Sequence, residues 1–258
     1  MIAAKQIELP RMASDKMDRR QITAEQALKH ESETLKVLDH PNIVEYLGWE
    51  ETPTSLTMFL DYVPGGSISK CLQTYGTFDE EVTKSFTSQI LAGLEYLHSK
   101  GFIHRDLKCQ NILVQMDGVC KISNFEISKR TDTDAHTTMD GSIFWMAPEM
   151  LNSRETGYNS KIDIWGIGCI LLEMWTGKRP WDGEQMLTAM SKLFQSKLAP
   201  PIPDSLVLTP LADDFRLKCF TINPEERPTA VELRNDPYLA LNPGWAFNGF
   251  VANTPHSS

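Results

Sequence analysis

The sequence contains few cysteines, and none of them belongs to a recognisable metal or disulfide motif. They are odd in number, scattered, and include no Cys-x-x-Cys pair: Cys71, Cys109, Cys120, Cys169 and Cys219. This spacing argues against a zinc finger and against a disulfide-rich secreted domain. We therefore expect free thiols and a protein of the reducing cytoplasm.

Long hydrophobic runs and an excess of basic residues are also missing. The longest apolar run, residues 164–172, stops at Glu173 and is much shorter than the roughly 20 residues of a membrane-spanning helix. Lys5 and Glu8 interrupt the first apolar residues, which is not the pattern of a signal peptide. The net charge of -9 argues against nucleic acid or an anionic membrane as the main partner. Proteins and small ligands are left as partners.

The composition is that of a globular protein, and the pattern of secondary structure changes at Pro64-Gly65-Gly66. The chain has 258 residues, 41% of them hydrophobic, which is enough for a sizeable core. Before this break, alternating apolar residues predict strands at 1–9, 43–49 and 55–62, and helical spacing predicts an amphipathic helix at 23–38.

After the break the pattern is mainly helical. Residues 77–80 and 160–163 each match a helix capping box. The second box precedes the most apolar segment, which predicts a central buried helix ending at Trp175. Residues 129–140 are polar and rich in Thr and Asp, which predicts a long mobile loop. Strands with one helix, followed by a helical body, indicate an α+β fold with two unequal lobes.

One motif carries residues suited to phosphoryl transfer: His104-Arg105-Asp106-Leu107-Lys108-Cys109-Gln110-Asn111. This reaction requires that phosphates are clamped, that their charge is neutralised and that the acceptor hydroxyl is aimed. Asp106 can accept the hydroxyl proton, Lys108 can neutralise charge on the moving group, and Asn111 can bind a metal through its amide oxygen. A chance match in a polar loop is the alternative, and the ordered motifs around this one argue against it.

With these motifs, residues 1 to about 238 resemble the eukaryotic protein kinase family. Lys5, in Ala3-Ala4-Lys5, resembles the phosphate-contacting lysine, and Glu31 resembles its ion-pair partner on the helix. Leu60 resembles the residue at the back of the adenine pocket. The hinge that follows, whose backbone binds adenine, is matched by Asp61-Tyr62-Val63. Taken singly, these residues also fit a solvated lysine, a solvated glutamate and a plain edge strand.

The resemblance implies a two-lobed kinase-like fold that binds ATP and Mg²⁺ and phosphorylates a protein substrate. It predicts a small, mostly β lobe with one helix at residues 1–60, a hinge at 61–66 and a larger, mainly α lobe at 67–250. We expect residues 251–258 to be a disordered tail.

Further motifs narrow the family. Met146-Ala147-Pro148-Glu149 resembles the Ala-Pro-Glu segment, whose glutamate pairs with a late arginine, here Arg227. The motif Asp163-Ile164-Trp165 resembles the start of the central helix. Lys108 together with Ser142 is similar to serine/threonine kinases rather than tyrosine kinases. Three long collinear runs resemble the MAP kinase kinase kinase group: residues 38–48, 59–67 and 144–149.

The chain departs from the family pattern at its beginning. In the family, two strands joined by a Gly-x-Gly-x-x-Gly loop precede the lysine strand, whereas this sequence begins at that strand. Either the given sequence is a fragment or has a wrongly assigned start, or the protein lacks these first two strands. In both cases the given chain predicts an open roof over the nucleotide site.

A second departure concerns the metal. The Asp-Phe-Gly motif of the family reads Asn124-Phe125-Glu126, so the metal-binding carboxylate becomes an amide. At an effective dielectric of about 20, unit charges about 4 Å apart interact by roughly 4 kcal/mol. Losing a few kcal/mol would slow transfer on the order of a hundred- to a thousandfold. Asn111 and Asn124 are left as weak metal ligands, Glu126 is a possible substitute carboxylate, and Phe125 is expected to pack beneath the helix that carries Glu31.

Two functions therefore stay open. One is an ATP- and Mg²⁺-dependent serine/threonine kinase of a MAP kinase cascade, and the other is a pseudokinase that acts as a scaffold or allosteric partner with little or no turnover. Phosphorylation of the loop between Phe125 and Pro148 is a further hypothesis, with Arg105 as the phosphate's partner. Its candidate sites are Thr131, Thr133, Thr137, Thr138 and Ser142.

Overall fold

The computed structural model describes residues 1–9, 19–125, 129–130, 142–150 and 159–250. Within these residues the chain forms a small lobe built on one sheet and a larger, mainly helical lobe, with the hinge between them. This is the α+β, two-lobed fold that the sequence predicts. In the described part of the chain, no helix is both long and apolar enough to cross a membrane.

The small lobe contains a three-stranded antiparallel sheet. Its strands are β1 (Ile2–Glu8), β2 (Tyr46–Thr52) and β3 (Ser55–Asp61), in the order β1-β3-β2. Side chains along β1 alternate between exposed and half-buried, as expected for a strand with one face on the core. The register places Lys5 opposite Met58 and Ala3 opposite Leu60, so the lysine and the end of β3 share one side of the lobe.

Helix α1 (Arg19–Leu35) packs against this sheet and carries Glu31. It begins four residues before the predicted start at residue 23 and ends three residues before the predicted end at 38. Leu28 and Leu35 are buried against the core, which fits the apolar spacing that predicted the helix.

The predicted strand at 43–49 is shifted, and the actual strand is β2. Ile43 instead forms an isolated bridge with Ile122 of the large lobe, and Val44 N–H donates to the Ile122 carbonyl at 2.9 Å. The segment after α1 is thus anchored to the opposite lobe rather than to its own sheet. This anchor fixes α1 relative to the loops of the site.

The large lobe contains six α-helices with both ends among the described residues, three short 3₁₀ helices and two small two-stranded sheets. The helices are α2 (Ile68–Tyr75), α3 (Glu80–Ser99), α4 (Lys161–Thr176), α5 (Met186–Phe194), α6 (Pro210–Cys219) and α7 (Ala230–Arg234). The sheets pair β4 (Phe102–Ile103) with β7 (Lys129–Arg130), and β5 (Ile112–Val114) with β6 (Cys120–Ile122). Lys129–Arg130 therefore form a strand, so the predicted loop at 129–140 is wrong at its first two residues.

Helix α4 is the centre of the large lobe. Every residue from Ile162 to Trp175 is buried, as the predominantly apolar sequence predicts, and the buried set includes Asp163 and Glu173. Gly166 lies against the loop that carries Asp106, since a Cβ atom at this glycine would lie 2.6 Å from Leu107 Cβ. The helix ends at Gly177, whose left-handed conformation closes the last turn.

Both predicted capping boxes are wrong. Helix α3 is capped by Asp79, whose side chain accepts the Val82 N–H at 2.8 Å. At α4, Ser160 makes no side-chain cap, and Asn159 Oδ1 instead accepts the Lys161 N–H at 2.9 Å.

The hinge glycines bring the chain against β5. A Cβ atom at Gly65 would lie 2.2 Å from the Val114 carbonyl oxygen, so the backbone approach requires glycine at this position. The Gly66 carbonyl accepts the Val114 N–H at 2.8 Å.

The cysteines of the large lobe are all free and buried, and burial raises the pKa of the Cys71 thiol to about 11.

Candidate active site

A cleft of about 410 Å³ lies between the sheet of the small lobe and the loops of the large lobe. Its size is in the range of small-molecule sites in proteins. β1 contributes Lys5 and α1 contributes Glu31, while Asn111 and Asn124 come from the large lobe. The hinge side of the cleft is formed by Leu60, Asp61, Tyr62 and Val63.

The ion pair between Lys5 and Glu31 joins β1 to α1. Lys5 Nζ lies 2.7 Å from Glu31 Oε2. Glu31 is almost fully buried, and its other oxygen accepts the Phe125 N–H at 3.0 Å. A buried carboxylate is stable only when it is paired and hydrogen-bonded, as Glu31 is here. The pair therefore links the lysine, the helix and the segment after β6, and Phe125 is fully buried beside it.

Asp163 at the start of α4 holds the loop that carries the proposed proton acceptor. Its carboxylate accepts the His104 N–H at 2.9 Å and the Arg105 N–H at 2.8 Å, and it lies 2.8 Å from His98 Nε2. Arg105 has a φ of 74°, which is uncommon for a residue with a side chain. These hydrogen bonds offset the cost of that conformation.

The pKa of Asp163 reflects two opposed effects. Complete burial by itself raises the pKa, but the hydrogen bond with His98, the nearby histidines and the Arg105 N–H outweigh burial. The net result is a pKa below the ordinary value for aspartate. Asp163 is therefore ionised at neutral pH and binds the loop as an anion.

Asp106, Lys108, Asn111 and Ser142 form one hydrogen-bonded cluster. Lys108 Nζ lies 2.8 Å from Asp106 Oδ2 and donates to Ser142 Oγ at 2.7 Å. Asn111 Nδ2 donates to the Asp106 backbone carbonyl at 2.7 Å and to Asp106 Oδ2 at 2.9 Å. Asp106 is 8% exposed, and these contacts hold its carboxylate in one orientation.

Asn124 takes the position at which the family has aspartate. Its φ is 66°, a left-handed conformation that asparagine tolerates better than most residues. Asn124 Nδ2 donates to Asn111 Oδ1 at 3.3 Å, and Lys5 Nζ donates to Asn124 Oδ1 at 3.4 Å. The two proposed metal ligands thus hydrogen-bond to each other.

The described residues do not fit a divalent metal. Mg²⁺ is bound through hard oxygen ligands, usually including one or two carboxylates, in an octahedral arrangement. Within the described ranges, no group of three or more His, Cys, Asp and Glu side chains is arranged to hold a metal ion. Glu126, proposed as a substitute carboxylate, lies outside these ranges.

Some other predictions also fall outside the described residues. They concern phosphorylation at Thr131, Thr133, Thr137 and Thr138, and the disordered tail at 251–258. Ser142, the fifth candidate phosphorylation site, is described and accepts the hydrogen bond from Lys108.

The hinge residues line the cleft, and their backbone is partly engaged. Asp61 N–H donates to the Glu45 carbonyl at 3.0 Å, and Val63 accepts the Gly66 N–H at 3.4 Å. The Asp61 carboxylate lies 3.9 Å from Lys121 Nζ of β6. The sequence motifs did not identify Lys121. The one sequence feature that could have indicated it is a lysine within an otherwise apolar, buried strand.

Glu173 is a second residue that sequence reasoning missed. Its Oε2 accepts the Cys109 N–H at 3.0 Å and the Trp145 Nε1–H at 2.9 Å. Burial raises the pKa of Glu173. Glu173 joins the Asp106 loop to the segment after Ser142. The sequence feature that could have indicated this role is a carboxylate that interrupts the apolar sequence of α4.

Arg227 anchors the end of that same segment. Its guanidinium donates to both carboxylate oxygens of Glu149, at 2.6 and 3.1 Å, and Arg227 is fully buried. Such two-point pairs fix orientation as well as position. Arg227 and Glu149, which we expected from the sequence to form a pair, are therefore in contact.

This fold and cleft define a class of protein. Residues 1–239 match the protein kinase domain model, and the chain belongs to the protein kinase family. Protein kinases generally use ATP with Mg²⁺ and act on protein substrates.

Curated relatives narrow the resemblance. The chain is 47% identical over 253 residues to the MAP kinase kinase kinase mkh1 of Schizosaccharomyces pombe, which covers 96% of the chain and 23% of that protein. It is 46% identical over 252 residues to the serine/threonine-protein kinase BCK1/SLK1/SSP31 of Saccharomyces cerevisiae, covering 96% of the chain and 17% of that protein.

A plant protein is also similar. The mitogen-activated protein kinase kinase kinase 2 of Arabidopsis thaliana is 42% identical over 219 residues, which cover 83% of the chain and 33% of that protein. The resemblance to the MAP kinase kinase kinase group is thus confirmed. The chain spans less than a quarter of the length of the two fungal relatives.

Proposed function

We propose that this chain is a serine/threonine protein kinase domain that transfers the γ-phosphoryl group of ATP to a protein hydroxyl. The observation that carries the proposal is the hydrogen-bonded cluster of Asp106, Lys108, Asn111 and Ser142. The cluster meets the cleft at Asn111, and the ion pair of Lys5 and Glu31 lines the same cleft. We propose the division into a small lobe at 1–60, a hinge at 61–66 and a large lobe at 67–250.

The proposed role of each group follows from its contacts. Asp106 accepts the proton of the acceptor hydroxyl while that oxygen bonds to phosphorus and the bond to ADP breaks. Lys108, held between Asp106 and Ser142, lies where it can neutralise charge on the moving phosphoryl group. Asn111 fixes the orientation of Asp106 through its two hydrogen bonds.

The other wall of the cleft is proposed to hold the nucleotide. Lys5 binds phosphate oxygens and is oriented by Glu31. Leu60 closes the back of an adenine pocket, and the backbone of Asp61 and Val63 binds the adenine edge. The partly apolar lining and the exposed mouth of the cleft suit a flat base with a charged tail.

The names of the relatives support a cascade role. Several of them are named MAP kinase kinase kinases, and one is named a serine/threonine-protein kinase. We propose that the substrate is a protein of the MAP kinase kinase type, and that signalling takes place in the cytoplasm.

A second candidate function is a pseudokinase that serves as a scaffold or allosteric partner. The observation that favours it is Asn124, an amide at the place of a metal-binding carboxylate. Under the first proposal this residue makes transfer slow, on the order of a hundred- to a thousandfold below a site with aspartate. Under the second, transfer is lost.

Transfer of labelled phosphate from ATP to a catalytically inactive MAP kinase kinase tests the proposal. We expect slow transfer by the wild-type chain and none by Asp106→Asn, because the amide cannot accept the proton. Asp204→Asn, an exposed aspartate away from the cleft, is the matched control and should keep the wild-type rate. Transfer that persists in Asp106→Asn would contradict the mechanism, and a wild-type chain that binds ATP but transfers nothing would favour the pseudokinase.

A further inference from the structure

Three carboxylates, two that line the cleft and one on the neighbouring loop, are each close to a lysine. Glu31 Oε2 lies 2.7 Å from Lys5 Nζ, and Asp106 Oδ2 lies 2.8 Å from Lys108 Nζ. At the hinge, the Asp61 carboxylate is 3.9 Å from the nitrogen of Lys121. Among the described residues, each of these three carboxylates therefore has a lysine nitrogen within 4 Å, which reduces the charge that it offers to a cation.

Two further side-chain oxygens of the cleft, those of Asn111 and Asn124, belong to amides that bind each other. Asn124 Nδ2 donates to Asn111 Oδ1, so the oxygen that could bind a metal already accepts a hydrogen bond. The oxygen of Asn124 accepts from Lys5. An aspartate at position 124 could not donate to Asn111, because a carboxylate has acceptors only. The amide pair is thus specific to asparagine at this place.

The same substitution changes how the cleft meets a triphosphate. A carboxylate at position 124 would repel phosphate oxygens unless a cation lay between them. The neutral Asn124 amide removes this repulsion and supplies N–H groups that can donate to phosphate. Lys5, whose side chain is 38% exposed, adds a positive charge on the same wall.

We propose that this cleft binds ATP without a divalent cation, so that the affinity for ATP is nearly the same with Mg²⁺ as without it. The inference rests on the proposed nucleotide site and deepens it: the ligand is the free nucleoside triphosphate rather than its metal complex. Asn124 is the residue that sets this preference, through its bond to Asn111 and through the absence of its charge.

Calorimetric titration with ATP, once in EDTA and once in excess Mg²⁺, tests the inference. For the wild-type chain we expect dissociation constants that agree within about twofold between the two conditions. For Asn124→Asp we expect binding at least about tenfold weaker in EDTA than in Mg²⁺, because the restored charge repels the triphosphate and attracts the cation. Asn242→Asp adds the same charge at an exposed site and should behave as wild type.

Each titration result that disagrees with the expectation leads to a different conclusion. If Mg²⁺ tightens binding to the wild type by tenfold or more, the inference is wrong and the proposed nucleotide site stands. If this tightening disappears in Glu126→Gln, the carboxylate of Glu126 is the metal ligand. If the folded wild type, checked by its thermal unfolding, binds ATP in neither condition, both the inference and the proposed nucleotide site fall. If Asn124→Asp is also indifferent to Mg²⁺, the assignment to Asn124 is wrong.

Discussion

Asp163 shows how one buried side chain fixes a catalytic loop. Its carboxylate holds two consecutive backbone N–H groups, those of His104 and Arg105, and also the His98 ring. Two charge-assisted bonds on neighbouring residues leave the loop little freedom to rotate. Asp106, the proposed proton acceptor, is the next residue in the chain, so these bonds also fix its position.

We expect Asp163→Asn to lower the free energy of unfolding at pH 7 by about 2 to 4 kcal/mol, because an amide cannot accept all of these bonds. The pKa of Asp163 is lower in the folded chain than in the unfolded chain. Its contribution is therefore complete above the unfolded value near 3.8 and is lost as the pH falls through the folded value. Urea unfolding at several pH values measures this difference.

The comparison that matters is between wild type and variant at each pH. The difference in unfolding free energy should narrow below about pH 4, as Asp163 in the folded wild type becomes protonated. Asp204→Asn, an exposed acid, should show no comparable difference at any pH. A constant difference between Asp163→Asn and wild type from pH 7 to pH 3 would show that the charge of Asp163 is not what stabilises the loop.

At the residue scale, the candidate site residues that could be predicted from the sequence are those that occur in recognisable motifs. Asp106, Lys108 and Asn111 occur within one short run, and Lys5 and Glu31 were placed by resemblance to known motifs. The links made by Asp163 and Glu173 could not be predicted, since each connects a helix residue to a backbone N–H roughly 60 positions away. A local sequence pattern carries no information about contacts between residues so far apart in the chain.

At the scale of elements, the C-terminal part of the described chain forms an aromatic cluster with two helices. The Phe250 ring stacks on Tyr75 at 5.1 Å and on Phe78 at 5.0 Å, and it meets the edges of Phe86 and Phe247 at 6.0 and 5.1 Å. Such pairs stabilise beyond the area they bury. This segment therefore holds α2 and α3 together from outside.

Phe250→Ala is expected to lower the free energy of unfolding by about 2 kcal/mol, because it removes four ring contacts at a half-buried site. Chemical denaturation measures the effect. Val207→Ala, at a side chain that is 91% exposed, provides the control and should change stability by less than about 0.5 kcal/mol. An effect of Phe250→Ala no larger than that of the control would mean that the cluster adds nothing to stability.

Periodicity predicted the long elements well and their ends poorly. The spacing of apolar residues located α3 and α4, whose buried faces are wide and continuous. The caps were misassigned because Ser or Thr followed by an acid is a common pattern. Asp79 caps α3 through the Val82 N–H, and Asn159 accepts the Lys161 N–H at α4. The start of β2 was misplaced because Ile43 pairs across the lobes.

At the scale of the whole molecule, the cleft is assembled from parts that are distant in sequence. β1 supplies Lys5, α1 supplies Glu31, and the loops of the large lobe supply Asn111 and Asn124. They meet because the segment after α1 is bonded to β6 through Val44 and Ile122, and because Glu31 reaches the Phe125 backbone. The groups that we propose for phosphoryl transfer are thus present, while Asn124 supplies an amide at the proposed metal position.

The rate of phosphate transfer in Asn124→Asp tests this account most directly. Assayed with ATP and Mg²⁺, Asn124→Asp should transfer phosphate at least about a hundredfold faster than wild type, because the charge restores a metal ligand. The added change Asp106→Asn should abolish this gain, since transfer still depends on the proton acceptor. An Asn124→Asp variant no faster than wild type, or a double variant that keeps the gain, would contradict the account.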